Sequence, residues 1–143
     1  METKEKVLVS ACLLGQCCAY DGQHRKSEAV LLLAERYELI PICPEREGGL
    51  PTPRVPSERI SSRVCSRDGA DVTAAYERGA LEALSLALSS KVAFAVLKSK
   101  SPSCGKGEIY DGSFTHTLTP GNGVTAELLL SNSVPVYTEK EIE

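Results

Sequence analysis

Four short apolar runs, residues 6–12, 38–43, 92–97 and 134–137, lack helical periodicity and are separated by segments that carry it. Continuous apolar runs of this length are the pattern of strands buried on both faces. Strand and helix alternating along one chain imply a parallel sheet with right-handed crossovers. The expectation is one α/β domain over residues 1–143, a small Rossmann-like or flavodoxin-like parallel sheet of about four strands. Pro41 inside the second run removes an amide donor and places that strand near an edge.

Between the runs, Ser27 is set to cap a helix whose stripe passes through Ala29, Leu32 and Leu33. Asp71 or Thr73 is set to cap another, reaching about residue 89, in which Gly79 signals a close approach of two backbones. Gly121 and Gly123 open a third. Residues 44–67 hold Pro44, Pro51, Pro53, Pro56, Gly48 and Gly49, a density of breakers that reads as one long loop, and loops of that length are usually functional or mobile. A short hairpin is expected from residues 108–110 and 113–117 around Asp111-Gly112, a type I′ dipeptide. No Gly-x-Gly-x-x-Gly follows the first strand and no Gly-x-x-x-x-Gly-Lys-Ser/Thr occurs, so neither phosphate cradle is present.

Three of the six cysteines carry the chemistry. Cys12 and Cys43 each end an apolar strand, and Cys104 follows the third through Ser-Pro-Ser-Cys-Gly. In an open α/β sheet the C-terminal strand ends share the edge at which ligands bind. No close Cys-x-x-Cys pairs unite them, which argues against structural zinc. Three thiolates from three strand ends suit a [4Fe-4S] cluster with one iron left open. Any single one of them reads as readily as a buried, inert thiol. Cys17 and Cys18 are spare ligands, redox-sensitive thiols or incidental, and Cys65 carries no signal.

The net charge of −3 gives no basic field for long DNA or RNA, although one nucleobase fits. The apolar runs are far shorter than the roughly 20 residues of a membrane span. The N-terminal Met-Glu-Thr-Lys-Glu-Lys shows no signal-peptide core, so a cytoplasmic protein is expected, whose cysteines bind metal or catalyse rather than pair as disulfides.

Glu45, two residues beyond Cys43, is the general acid or base candidate. Ser101 and Ser103 are candidates for orienting water or bonding a substrate heteroatom, and Lys98, Lys100 and Arg54 for meeting an anionic group. Turn capping and solvated surface charge are the competing readings. His24 and His116 lack metal-ligand spacing and read as surface or hydrogen-bonding groups.

The motifs Ser10-Ala11-Cys12-Leu13-Leu14-Gly15, Tyr20-Asp21-Gly22, Cys43-Pro44-Glu45, Lys98-Ser99-Lys100-Ser101-Pro102-Ser103-Cys104-Gly105, Tyr110-Asp111-Gly112 and Gly121-Asn122-Gly123-Val124-Thr125 together resemble the thiouracil desulfidases, small bacterial proteins long grouped as a domain of unknown function. The resemblance implies an oxygen-sensitive [4Fe-4S] cluster on Cys12, Cys43 and Cys104, with the fourth iron taking the sulfur of a thiolated pyrimidine while water attacks its carbon. It implies catalytic roles for Glu45 and Ser101, and Ser103 and Arg54 are expected to contact substrate. The family often has arginine before Tyr-Asp-Gly, where this chain has Ala19, so other thiolated nucleobases or thioamides stay open as substrates. The alternatives are metal-free persulfide transfer on Cys104 and a non-catalytic iron-sulfur or redox-sensing module. A homodimer is the default assembly.

Overall fold

In the computed structural model, which describes residues 4–142, four strands form a parallel sheet: β1 (Glu5–Ser10), β2 (Tyr37–Ile42), β5 (Phe94–Leu97) and β8 (Val136–Thr138). Their order is β2-β1-β5-β8. Counting parallel strands alone this is 2-1-3-4, the start of the flavodoxin-like doubly wound order. β1 is central and buried on both faces. Val7 and Val9 pack with Leu13, Val30 and Val96 under α1 (Glu28–Leu32) and Ile142 of α5 (Glu139–Ile142). Leu8 packs on the other face with Ala83, Ala87, Ala126 and Leu129 of α3 (Thr73–Ser90) and α4 (Val124–Ser131). Each of these fully buried Val and Leu side chains contributes roughly 1.5–3 kcal/mol, so β1 is the anchor of the sheet. Pro41 lies on the edge strand β2, opposite Val9.

Ser27 caps α1 as expected, its hydroxyl accepting from Val30 N–H at 3.3 Å. At α3 the cap position falls on Val72, without a side-chain bond. The Asp71 carboxylate accepts from Thr73 N–H, while the Thr73 hydroxyl accepts from Val64 N–H. The chain entering α3 is thereby tied to the strand that precedes it.

Two expectations are corrected. The proline-rich segment is not one loop: it contains α2 (Pro44–Glu47) and an antiparallel pair, β3 (Ser57–Ile60) with β4 (Arg63–Ser66). Pro44 occupies the first helical position, where its missing N–H costs nothing. The later hairpin pairs β6 (Glu108–Tyr110) with β7 (Leu118–Pro120), not with residues 113–117. Asp111 folds back on Ser113 N–H, and Gly112 and Phe114 donate to Glu58, so Asp111-Gly112 opens a long docked loop instead of a two-residue turn. Among the described residues no helix is long and apolar enough to cross a membrane.

Gly79 makes the close approach its position suggests. A Cβ there would overlap the Pro44 carbonyl, and one on Gly48 would overlap the Ala75 carbonyl. The backbones of α2 and α3 therefore meet directly. The Arg78 guanidinium adds bonds to the Gly48 carbonyl at 2.8 and 3.1 Å. Gly79→Ala is expected to lower stability by about 2–4 kcal/mol, because the group it would meet is the Pro44 backbone carbonyl rather than a movable side-chain end. A urea midpoint equal to that of the wild type would show that α2 is free to shift.

Candidate active site

β1 and β5 are neighbours from which the chain departs in opposite directions, so the crevice beyond their carboxyl ends is the switch point of the sheet. A cavity of about 280 Å³ opens there, lined by Cys12, Cys43 and Cys104. Cys12 lies in the single 3₁₀ turn Ala11–Leu14 that β1 runs into, closed by Gly15 at φ 99°. Cys43 joins β2 to α2. Cys104 sits in the turn after β5, where Ser101 Oγ accepts from the N–H groups of Ser103 and Cys104 at 3.0 and 3.1 Å. The Ser101 carbonyl accepts from Gly105 N–H at 2.9 Å. A fourth thiol, Cys18, lines the same cavity and packs against Cys43.

The thiols differ in proton affinity. Burial, with the nearby Cys43 and Glu45 charges, pushes Cys12 up to about 11. Burial and the Glu45 charge push Cys104 up strongly. Cys43 moves the other way, to about 6, chiefly through a hydrogen bond from the Cys18 thiol that outweighs burial, with help from Arg46 N–H and the Arg54 charge. Cys18 is correspondingly held protonated.

Glu45 is no solvated loop carboxylate. It stands on the first turn of α2 with its side chain 15 % exposed, and its Oε2 meets both the Tyr76 hydroxyl at 2.8 Å and Arg54 at 3.1 Å. Arg54 lines the cavity but is largely committed to the protein: it bonds the Pro51 and Cys18 carbonyls, each at 3.2 Å, besides Glu45. Burial alone would weaken its hold on its proton, but the charges on Glu45 and Cys43 more than offset that. Its buried Nε has no partner and is the donor left over.

Ser101 lines the cavity, as do Lys98 and Lys100. Ser103 does not. It is fully buried, with its hydroxyl 2.7 Å from Thr125 Oγ1 on α4 and accepting from the Cys104 thiol. The expected substrate contact of Ser103 is replaced by support of the cysteine turn from behind. His116 moves the opposite way: the β6–β7 loop brings it to the cavity wall beside Tyr110, with ring centroids 5.9 Å apart. Glu58, buried on β3, fastens that loop through Gly112 and Phe114 N–H at 2.8 and 3.1 Å. Sequence reasoning passed over Tyr76 and Glu58, while Cys18, one of the spare thiols it named, lines the cavity. Tyr76 reads as the apolar face of α3, and only its contact 31 residues upstream reveals its use.

Among the described residues, no three His, Cys, Asp or Glu side chains could hold a single metal ion. Three thiols spread around one cavity instead suit a cluster, which takes its sulfur ligands at separate irons. Arg54 and Ser101 bring polar side chains to the same cavity.

Residues 7–141 match the 2-thiouracil desulfurase family. The chain is 38% identical over 146 residues to the uncharacterized protein YbbK of Bacillus subtilis (strain 168), covering 95% of this chain and 97% of that protein. Among solved structures it is similar to TudS, a [4Fe-4S]-dependent thiouracil desulfidase, with a TM-score of 0.91 and 46% identity, covering 96% of this chain and 93% of the other.

The turn that carries Cys104 is fastened at its start by Glu139 of α5. This carboxylate accepts from Ser99 N–H at 2.8 Å and Ser99 Oγ at 2.9 Å, and pairs with Lys98 at 3.1 Å. Burial would raise its proton affinity, but the Ser99 bonds and the Lys98 charge prevail and hold it below the ordinary glutamate range. A carboxyl held lower in the folded than in the unfolded chain stabilises above the unfolded value, about 4.3, and that contribution is lost as pH falls through the folded value. Glu139→Gln is therefore expected to cost about 1–3 kcal/mol near neutral pH, with the gap to wild type closing below about pH 4. A gap that persists undiminished in acid would contradict the assigned charge.

Proposed function

The chain belongs to the 2-thiouracil desulfurase family, and on that premise we propose that it hydrolyses the carbon–sulfur bond of a small thiocarbonyl compound such as a thiolated pyrimidine. Water enters, C=S becomes C=O, and hydrogen sulfide leaves, with no net oxidation or reduction. The observation that carries the reading is the delivery of Cys12, Cys43 and Cys104 to one cavity together with Glu45. The likeness to a [4Fe-4S]-dependent thiouracil desulfidase supports it.

In this reading Cys12, Cys43 and Cys104 hold a [4Fe-4S] cluster, which when bound supplies an iron free of protein ligands as a Lewis acid for the substrate sulfur. Holding it requires thiolates, against the burial that raises the proton affinity of Cys12 and Cys104. Glu45 takes a proton from the attacking water. The Ser101 oxygen already accepts two backbone N–H groups, so its own proton is available to a substrate heteroatom or the water. Tyr110 and His116 form the wall against which a planar ring rests. The same reading treats residues 1–143 as one cytoplasmic α/β domain.

Anaerobic purification followed by iron and acid-labile sulfide analysis tests the proposal. About four irons per chain are expected in the wild type, lost in a Cys12/Cys43/Cys104 triple alanine variant, with sulfide released from 2-thiouracil only by the iron-loaded protein. Failure to take up iron even on anaerobic reconstitution overturns the reading, and turnover by colourless protein would favour persulfide chemistry on Cys104. Glu45→Gln is expected to keep its iron while kcat falls by about 100-fold or more. A fully active Glu45→Gln enzyme would remove the base assignment.

A further inference from the structure

We propose that Tyr76 is a positioning residue that, together with Arg54, fixes which oxygen of Glu45 exchanges the proton. The inference rests on Glu45 as the base. Both donors converge on one atom: the Tyr76 hydroxyl and an Arg54 nitrogen meet Oε2 at 2.8 and 3.1 Å. Oε2 is engaged by the Tyr76 hydroxyl and by the Arg54 charge, and Oε1 is the oxygen left to accept. The proton taken from water resides on Oε1, and the carboxyl cannot present its two oxygens interchangeably.

The surroundings make this arrangement rigid. Tyr76 is 1 % exposed and lies on α3 beside Ala75 and Gly79, the residues whose backbones touch α2. The Tyr76 hydroxyl donates to Glu45 Oε2 at 2.8 Å. Burial raises the Tyr76 proton affinity far above its ordinary value, which keeps it a donor wherever the enzyme works. Arg54 anchors the other side of Oε2 and, through the Cys18 carbonyl, the segment beside Cys43. A general base loses rate steeply when its reactive atom is misaimed by a fraction of an ångström.

Tyr76→Phe removes the hydroxyl and keeps the ring. In the iron-loaded variant kcat is expected to fall about 10- to 100-fold with KM for 2-thiouracil within about twofold. Iron content and melting temperature should stay close to wild type. An independent reading comes from metal-free protein carrying ¹³C in the glutamate side-chain carboxyls. There the Glu45 resonance, identified by its loss in Glu45→Gln, is expected to move in Tyr76→Phe. A kcat within about twofold of wild type, an unmoved Glu45 resonance, or a loss of rate matched by a loss of iron would each overturn the positioning role. Failure of the base reading is distinguishable, since it appears as full activity in Glu45→Gln whatever Tyr76→Phe does.

Discussion

Parallel pairing on both sides of β1 is the constraint from which the site follows. Ser10 stands opposite Ile42 in the register with β2, and Val9 opposite Val96 in the register with β5. The Ser10 hydroxyl then accepts from Lys98 N–H at 2.9 Å, carrying the β1–β5 alignment one step past the last paired residues. Three chain segments therefore leave the sheet at the same level, and each has a cysteine shortly beyond its exit. A slip of one residue in either pairing would turn the strand over and remove a thiol from the cavity. The apolar side chains that forbid such a slip, Val7, Leu8 and Val9, are far from any chemistry, yet they specify it.

The second constraint is the direct contact of α2 with α3. A helix of four residues has no stability of its own, and α2 persists because its backbone is pressed into the notch left by Gly79 and its end is held by Arg78. Glu45 is thereby carried on a rigid support, although it belongs to a segment rich in prolines. The cavity is shared between a half built by the sheet, which presents sulfur, and a half built by α2, α3 and β3, which presents the carboxylate and its donors. Arg54 spans the two halves, touching Glu45 on one side and the Cys18 carbonyl on the other.

Sequence patterns reached the sheet and its three cysteines because burial on both faces leaves continuous apolar runs, a signal local to each strand. Gly79 and Pro41 were legible for the same reason, since each breaks a rule at a position where only one context tolerates it. The β3–β4 hairpin was hidden because Ser57–Ile60 and Arg63–Ser66 are short and rich in polar residues, and the nearby prolines spoke for a loop. Glu45 and Ser101 could be singled out by their nearness in sequence to cysteines. The true environments of Arg54 and Ser103 could not, because their partners Glu45 and Thr125 come from other elements. Tyr76 and Glu58 escaped notice for that reason too: a buried tyrosine on a helix and a glutamate on a polar strand acquire meaning only when the fold brings α2 and the β6–β7 loop against them.

The fastening of the Cys104 turn by Glu139 has a temporal consequence. All three cysteines precede α5 in the chain, but Lys98 and Ser99, which introduce the turn bearing Cys104, are not tied down by a carboxylate until Glu139 docks. β8, the outer neighbour of β5, is also made late. A growing chain thus carries these cysteines in an unfinished crevice. The order of synthesis separates the making of the thiols from the making of the cavity.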